Sequence, residues 1–390
     1  MVNVLWLTSW YPNRLDTMNG DFIQRHARAA SLFCNVHVIH LEADTQNVLT
    51  QKTEVSIMQQ NNLTEEIVLY KLVNKIPLAG KLFSYLRYIT LFKKHIKAYI
   101  KQHGKPGTVH VHVPVKAGLL ALWIKRRYGI PYIVTEHWAI YNDKAPDAFK
   151  KRNFLFKYYT KKILRQAALF TPVSKDLGAA VQKMVINIPF AVVPNVVDTG
   201  LFYYDASKRG GNGLFTFLHV STLNYQKNPE AILRAYKSFL TQHPHSKLIM
   251  VGGACDALLQ YASSLNIPAK NIHFTGLIPY NGVSEMMRAS DAFVMFSRYE
   301  NLPCVITEAL CCGLPVISTG EGGIGEVIDN TNGLLVNPDD ENALLQAMLQ
   351  VYNEIPRFNR RDISNPAVQL FCYNTVGQKL VTLYTSIMNN

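Results

Sequence analysis

Residues 297–336 contain the pattern with the most specific chemical implications in the chain, and two glutamates lie near its start. Glu300 lies in a polar loop, residues 297–303, and Glu308 lies eight positions later in a predicted helix. Neither carboxylate is paired with a cation nearby in sequence, so we expect both to be available to accept strong, charge-assisted hydrogen bonds from hydroxyl groups. The pair therefore indicates a site for polyols such as a hexose and a ribose. The alternative is that Glu300 is a solvated loop acid and Glu308 only favours the first half of its helix.

Glycines around these carboxylates predict an anion site. The helix, residues 304–312, is expected to end at Gly313, and a buried strand at residues 315–318 then leads into a glycine-rich turn that contains Gly322 and Gly323. A second helix is predicted to begin near residues 325–326. Because helix N-termini present free N–H groups, they favour negative charge. We expect two helix N-termini to face one crevice.

The pattern of this stretch resembles the donor-site signature of the retaining glycosyltransferases of family 4. The matching positions are Glu300, Glu308, Ala309, Leu310, residues 313–317, Gly322, Gly323, Glu326 and residues 332–336. The resemblance implies an α/β protein of GT-B architecture, with two Rossmann-like doubly wound domains that face each other across a cleft. It also implies a nucleoside diphosphate sugar as co-substrate, retention at the anomeric carbon, and no metal ion or other cofactor.

The resemblance also implies roles for individual residues. Glu300, His137 and Lys227 are the expected catalytic residues, with Glu300 on the sugar hydroxyls and Lys227 on the diphosphate. Donor contacts are implied for Glu308, which holds the ribose, and for Gly20, Thr222, Asn301, Leu302, Gly322, Gly323 and Glu326. The alternatives are a structural histidine, a solvated lysine and an ordinary loop glycine at positions 137, 227 and 20.

Thr222 departs from the pattern of the family. The family has an arginine five positions before the lysine that corresponds to Lys227, and this chain has Thr222 there. Threonine offers a hydroxyl group but no charge, so it cannot replace an arginine on a phosphate. The departure puts the phosphate site in doubt.

Two runs of alternating strands and helices are predicted to position these residues. The short apolar strands expected in the first run are residues 2–8, 36–40, 109–113, 130–135 and 169–173, and those in the second run are residues 215–220, 248–252, 272–276 and 292–295. Residues 43–66 are weakly patterned, and we predict a strand-containing excursion there. Residues 1–190 form the expected acceptor-binding domain and residues 191–370 the nucleotide-sugar-binding domain. By the resemblance, a helix in residues 371–390 crosses back to the first domain.

Length and composition exclude several protein classes. A chain of 390 residues with 48% apolar residues is too large for a single small module. No apolar run approaches the ~18 residues that a membrane span needs, and the N-terminal residues lack a basic leader. The six cysteines have no C-x-x-C spacing, which is typical of reduced thiols. We therefore expect a cytoplasmic protein.

The charge is concentrated in the first half of the chain. Residues 1–190 contain 27 lysines and arginines against 11 aspartates and glutamates, a net charge of +16, whereas residues 191–390 have a net charge of −3. Predicted helices at residues 81–105 and 150–165 combine aromatic and basic residues at helical spacing. Such helices can lie on an anionic membrane, here at its inner face. The alternative is that they pack on the core and present a solvated basic face.

The function predicted from the sequence is glycosyl transfer from a nucleotide sugar to a hydroxyl of a saccharide or lipid-linked acceptor, in surface polysaccharide or glycoconjugate synthesis. A sugar-nucleotide epimerase on the same two-domain plan is an alternative. A protein that binds anionic surfaces or nucleic acid is a second alternative, suggested by the charge of the first half. Because no recognised nucleic-acid module accompanies that charge, we expect no nucleic-acid partner.

Overall fold

The computed structural model describes residues 1–72, 77–208, 213–253 and 255–388. Seven strands form the first sheet: β1 (Asn3–Thr8), β2 (Asn35–Asp44), β3 (Thr53–Gln60), β4 (Leu63–Lys71), β5 (Thr108–His112), β6 (Tyr132–Thr135) and β7 (Leu169–Phe170). Their order is β3-β4-β2-β1-β5-β6-β7, and β3 alone among the paired strands described runs antiparallel to its neighbour. The helices of this half are α1 (Asp21–Ser31), α2 (Pro77–His103), α3 (Ala117–Tyr128), α4 (Phe154–Gln166) and α5 (Lys175–Met184).

Six parallel strands form the second sheet. They are β8 (Phe215–Val220), β9 (Ser246–Val251), β10 (Ile272–Gly276), β11 (Ala292–Met295), β12 (Val316–Thr319) and β13 (Gly333–Val336), in the order β10-β9-β8-β11-β12-β13. The helices are α6 (Pro229–Gln242), α7 (Asp256–Ser264), α8 (Tyr280–Ala289), α9 (Cys304–Cys311), α10 (Glu341–Asn353), α11 (Arg360–Phe371) and α12 (Tyr373–Met388). The predicted α/β architecture with two Rossmann-like parallel sheets is confirmed.

Alternate residues of β1 show why the first sheet carries helices on both faces. Leu5 and Leu7 pack into one core cluster with residues of α2 to α5, whereas Val4 and Trp6 pack into another with residues of α1 and α12. Successive side chains of a strand point to opposite faces, so a strand buried on both sides is a continuous apolar run. Polar residues stand at the C-terminal ends of several strands, as at Thr8, His112 and Thr135.

Helix α12 lies on the first sheet although it follows the second sheet in sequence. A Cβ atom at Gly377 would come within 2.1 Å of the Ala29 carbonyl oxygen, so the glycine permits a close approach to α1. The Tyr384 hydroxyl is 2.7 Å from Nδ1 of His110 on β5. The last helix therefore joins the two halves of the chain.

Several predicted elements differ from those in the structure. The helix expected near residues 325–326 is wrong: a short 3-10 helix, Gly322–Glu326, stands there. The chain then turns at residues 329–332, where the Asp329 N–H donates to the Asn332 side chain, before β13 begins. The excursion at residues 43–66 contains β3 and the start of β4, and α11 was not predicted. The second basic helix begins at Phe154, where the Asn153 side chain accepts a hydrogen bond from the Phe156 N–H.

The first basic helix packs on the core over most of its length. Tyr88, Phe92, Ile96 and Tyr99 of α2 are buried against the first sheet. The side chains of Lys81 and Leu82, which were part of the predicted pattern, lie outside the described residues. Over the described parts of the chain, no helix combines the length and the hydropathy needed to cross a bilayer.

Candidate active site

A cavity of about 420 Å³ lies between the two halves, at the C-terminal ends of strands from both sheets. Ligands of open α/β sheets bind at this edge. The polar and charged side chains on its wall belong to Asp21, Arg25, His137, Asn195, Ser221, Thr222, Gln226, Lys227, Tyr280, Glu300, Asn301, Cys304 and Glu308. The structure thus brings together Glu300, Glu308, Lys227, His137, Thr222, Asn301 and Leu302, all of which were singled out in the sequence.

Glu300 is held by a lysine of its own half. The Lys227 ammonium is 2.5 Å from Oε1 of Glu300, and the two side chains are only 14% and 6% exposed. Their loops are joined by two further hydrogen bonds, from the Arg298 N–H to the Gln226 carbonyl (2.8 Å) and from the Gln226 amide to the Tyr299 carbonyl (3.0 Å). Glu300 has no cationic partner nearby in sequence, as the sequence indicated, but it is not unpaired, because a partner lies 73 residues earlier, on a neighbouring loop.

Glu308 is held by an arginine of the opposite half. Nη1 of Arg25, on α1, is 2.7 Å from Oε1 of Glu308, and the Tyr280 hydroxyl donates to the same oxygen. The partner of Glu308 is thus also distant in sequence, 283 positions away. Burial raises the pKa of the Glu308 carboxyl to about 7, although the Arg25 guanidinium acts to lower it. The carboxylate is therefore close to taking up a proton at neutral pH.

Arg25 is almost completely enclosed. Its side chain is 6% exposed, and its second nitrogen, Nη2, is 3.2 Å from the carboxylate of Asp21, one helical turn earlier. The guanidinium lies 5.2 Å from the centroid of the Tyr280 ring. Nothing in the sequence around Arg25 identifies it as a site residue, because its partner Glu308 is 283 positions away.

A buried glutamate orders the loop that carries His137. Glu136 accepts hydrogen bonds from the backbone N–H groups of His137 (2.8 Å) and Trp138 (2.9 Å) and from the Tyr141 hydroxyl (3.0 Å). Burial raises the pKa of the Glu136 carboxyl to about 7, against these hydrogen bonds. Across the cleft, the Asn301 amide donates to the His137 carbonyl at 2.8 Å. His137 is thus positioned from both halves.

The His137 ring belongs to a buried group of histidines. Its Nε2 is 3.1 Å from Nδ1 of His112, and the two rings are stacked with centroids 5.4 Å apart. His26 lies edge-on to His137, with centroids 5.5 Å apart. Burial, followed by the charge of neighbouring histidines, holds the pKa of both His112 and His137 well below the usual value. The rings are therefore neutral at physiological pH, and His137 cannot supply a positive charge.

Gly20 shapes the start of α1 without lining the cavity itself. It caps the helix in the left-handed conformation, with φ +68°, and a Cβ atom there would come within 2.8 Å of the Trp10 backbone. Glycine alone adopts this conformation without strain. The next residue, Asp21, does line the cavity. On the other side, the Leu302 carbonyl accepts a hydrogen bond from the Asn195 amide at 2.8 Å.

The turn that contains Gly322, Gly323 and Glu326 packs against the loop that carries Glu300 and Asn301. A Cβ atom at Gly322 would lie 2.3 Å from the Glu300 carbonyl, and the Gly323 N–H donates to the Asn301 carbonyl at 2.6 Å. Glu326 accepts hydrogen bonds from the first two N–H groups of α5, at 3.0 and 2.8 Å. None of these three is among the described residues that line the cavity. The expected second helix N-terminus is therefore not part of the wall.

The chemistry available in the cavity is that of neutralised anions and hydroxyl acceptors. In the described residues, no group of three or more His, Cys, Asp or Glu side chains is arranged to hold a metal ion. Of the described lining residues, two carry a permanent positive charge, Arg25 and Lys227, and three carry carboxylates, Asp21, Glu300 and Glu308. Such a wall can bind an anion through the cations and a polyol through the carboxylates.

Comparisons with known proteins match both halves of the chain to glycosyltransferases. Residues 206–365 match the family described as glycosyl transferases group 1, and residues 27–201 match glycosyltransferase family 4. The chain is 24% identical to the putative teichuronic acid biosynthesis glycosyltransferase TuaC of Bacillus subtilis, over 96% of this chain and 94% of that protein. It is also 24% identical to the alpha-monoglucosyldiacylglycerol synthase of Streptococcus pneumoniae, over 72% of this chain and 67% of that protein.

The fold is shared with a solved structure that contains a bound nucleotide sugar. Anabaena Alr3699/HepE in complex with UDP-glucose superimposes with a TM-score of 0.73, at 18% sequence identity, over 99% of this chain and 100% of that one. The two sheets and the cavity between them are thus those of the GT-B architecture. Since the family matches cover both halves, the chain belongs to the retaining glycosyltransferases of family 4, which use nucleotide sugars as donors.

Proposed function

We propose that this protein transfers a hexose from a UDP-sugar to a hydroxyl of a saccharide or lipid-linked acceptor, without a metal ion, in surface polysaccharide or glycoconjugate synthesis. The observation that carries the proposal is that Glu300, Glu308, Lys227 and His137 line one cavity between the two halves. These are the residues to which the family resemblance assigns the donor.

The donor would lie along the second half. Glu308 accepts the ribose hydroxyls, and Glu300 accepts the hydroxyls of the sugar, because an ionised carboxylate is an acceptor without a proton of its own. Lys227 and the Thr222 hydroxyl contact the diphosphate. Asn301 and Leu302 form the loop beneath the sugar, Gly322 and Gly323 pack against that loop, and Glu326 caps α5 beside it. Gly20 lets the first turn of α1 face the diphosphate.

Transfer develops negative charge on the leaving diphosphate and positive charge on the anomeric carbon. Lys227 stabilises the leaving group electrostatically, which is often the largest contribution in catalysis. The acceptor proton passes to an oxygen of the leaving phosphate as the new bond forms on the same face. No carboxylate nucleophile is required, and Glu300 and Glu308 contact different parts of one ligand. The neutral ring and backbone carbonyl of His137 orient the sugar.

UDP is the favoured nucleotide because HepE, of the same fold, was solved in complex with UDP-glucose. The test is a screen of UDP-, GDP- and ADP-sugars for binding and hydrolysis by the purified protein, in buffer with and without EDTA. A UDP-sugar is expected to bind and to be hydrolysed slowly at the same rate in both buffers. Failure of every nucleotide sugar to bind would overturn the proposal, and loss of the activity in EDTA would overturn the metal-independent mechanism. Conversion of the donor to another free nucleotide sugar would favour the epimerase.

The acceptor would be presented at a membrane surface. The exposed apolar side chains at the start of α2 and on α4 are Phe83, Tyr85, Leu86, Phe154, Leu155, Tyr158 and Tyr159. Burial, and then the neighbouring Tyr159 of α4, raises the pKa of Tyr85. Lysines 150, 151, 157, 161 and 162 surround these side chains in sequence. Aromatic residues beside bases are typical of surfaces that bind anionic lipid. This would place the enzyme at the inner face of the membrane.

Vesicle binding tests the membrane contact. The wild type should sediment with vesicles of phosphatidylglycerol and phosphatidylcholine, and less with phosphatidylcholine alone or at high salt. The double substitution Phe154→Ser with Leu155→Ser, at side chains 77% and 62% exposed, should weaken binding about tenfold. Ile57→Ser with Met58→Ser, at exposed apolar residues of β3, is the matched control. Equal binding by all three proteins would contradict the contact.

A further inference from the structure

Thr222 leaves the proposed donor site short of one positive charge. A nucleoside diphosphate carries two phosphates, and Lys227 is the one permanent cation that the second half contributes to the described wall of the cavity. Lys227 is itself already paired with Glu300. The wall therefore needs a second cation, and that cation has to come from elsewhere in the chain.

The geometry points to Arg25. We propose that Arg25 binds the donor diphosphate and supplies, from the first half, the guanidinium that position 222 lacks. This inference rests on the proposed function. Arg25 lines the same cavity as Thr222 and Lys227, and its fork of five N–H donors suits phosphate oxygens. Its Nε is buried and has no hydrogen-bond partner among the residues described, so one donor is still to be satisfied.

Donor binding would exchange the partners of Arg25. Its Nη1 is on Oε1 of Glu308, the carboxylate that is proposed to accept the ribose hydroxyls. Once those hydroxyls donate to Glu308, they take over the contact that the guanidinium makes in the structure. The guanidinium then turns to the diphosphate, while Asp21 and the Tyr280 ring keep it at the cavity wall. The same guanidinium thus contacts the Glu308 carboxylate before the donor binds and the diphosphate afterwards.

This exchange would also couple the donor to the relative position of the two halves. Arg25 belongs to α1 of the first half, whereas Lys227 and Glu308 belong to the second half. A diphosphate held by both Arg25 and Lys227 bridges the cleft. The nucleotide would therefore favour the closed arrangement of the halves, in which the acceptor is brought to the anomeric carbon.

The test compares UDP with uridine on four proteins: wild type, Arg25→Gln, Thr222→Arg, and the double variant Arg25→Gln with Thr222→Arg. Calorimetric titration of Arg25→Gln at pH 9, well above the raised pKa of Glu308, should show UDP binding weakened about 10- to 100-fold, the loss of one charge-assisted bond, with uridine binding changed less than about threefold. The double variant should recover most of the UDP affinity, because it carries an arginine at the position where the family has one.

The outcomes separate this inference from the proposed function. If the wild type binds neither UDP nor GDP nor ADP, the proposed function itself fails. If it binds UDP and Arg25→Gln binds UDP equally well, or loses UDP and uridine in the same proportion, Arg25 is not a phosphate ligand. Arg25→Lys is the substitution to use if the glutamine variant does not fold. It keeps the charge, and it should weaken UDP binding about three- to tenfold while uridine binding is unchanged; equal UDP affinity would again overturn the inference.

Discussion

The two carboxylates of the cavity are held in different ways. Glu300 is paired with Lys227, which belongs to the same half, and two hydrogen bonds join the loops that carry them. Glu308 is paired with Arg25, which belongs to the other half and reaches it across the cleft. Glu300 is therefore positioned by one domain alone, whereas the surroundings of Glu308 depend on how the two domains meet. Substitutions should therefore affect the two pairs differently.

The largest effect is expected for Lys227→Gln, which retains a donor for Glu300 but removes the charge from the proposed phosphate site. Transfer should fall about 10²- to 10³-fold, as when one preorganised donor to a developing anion is removed. Initial rates with a saturating donor measure it. Lys270→Gln, at an exposed lysine of the same half, is the matched control and should behave as wild type. A wild-type rate for Lys227→Gln would remove this residue from the site.

A smaller effect is expected for Glu308→Gln. The glutamine amide can still contact Arg25, but it is a weaker acceptor for the ribose, so kcat/KM for the donor should fall about 10- to 100-fold. Glu285→Gln, on an exposed face of α8, serves as control. If the two variants have the same kcat/KM, Glu308 does not hold the donor.

The pH dependence of the reaction also tests the pairing of Glu308 with Arg25. Because the pKa of Glu308 is raised to about 7, kcat/KM should fall as the pH drops below 7 and the carboxyl takes up a proton. Arg25 acts to lower this pKa, so Arg25→Gln should shift the acid limb to higher pH. Glu136 has a similar pKa and is the alternative source of the limb. Persistence of an unchanged limb in Glu308→Gln would assign it to Glu136.

A substitution of Glu136 tests how the first half orders the loop that carries His137. Glu136→Ala leaves the His137 and Trp138 N–H groups and the Tyr141 hydroxyl without their buried acceptor. The free energy of unfolding should fall by about 1–3 kcal/mol, and kcat by about tenfold, because the His137 loop loosens. Urea unfolding and initial rates are the measurements. Asp143→Ala, which removes only an exposed ion pair with Lys150, should change the unfolding free energy by less than about 0.5 kcal/mol.

A difference in acid stability between the halves is also expected. Burial lowers the pKa of four histidines in the first half, His26, His110, His112 and His137, and of His219 in the second. A lowered histidine pKa contributes stability that is present above the unfolded pKa of about 6.5 and is lost as the pH falls below it, by at most about 2 kcal/mol per residue at pH 5.

Hydrogen exchange at pH 7 and pH 5, corrected for intrinsic rates, would show the difference. The amides of the first sheet should lose more protection at pH 5 than those of the second. Equal losses, or an earlier loss in the second sheet, would contradict the assignment of neutral buried histidines to the first half. His245→Gln, at an exposed histidine, should leave the pattern unchanged.

The second half was largely predictable because its site residues follow one another in sequence. Glu300, Glu308 and the glycine that ends their helix are close neighbours along the chain, and buried strands are visible as short apolar runs. The family resemblance implied the fold class, and the alternation of those runs with predicted helices agreed with it. What local pattern does not record is which side chains meet after folding. Both ion pairs, Lys227 with Glu300 and Arg25 with Glu308, join segments that are far apart in sequence, and so both were missed.

The turn at residues 322–326 was predicted to contact a ligand, and it contacts another loop instead. Its glycines predicted a helix N-terminus for an anion, but in the structure they permit close packing beneath the backbone of Glu300 and Asn301. Glu326 caps α5 of the other half. Glycine spacing reports that a backbone approaches something closely, and tertiary contacts decide whether that is a ligand or another loop.

Hydrogen exchange with and without a UDP-sugar tests the central claim, that one nucleotide sugar is held between the two halves. We expect protection to rise in two sets of segments, residues 297–308 and 221–228 of the second half and residues 20–26 and 136–139 of the first. Protection confined to a single half, or no change in either, would contradict a donor site at this cleft.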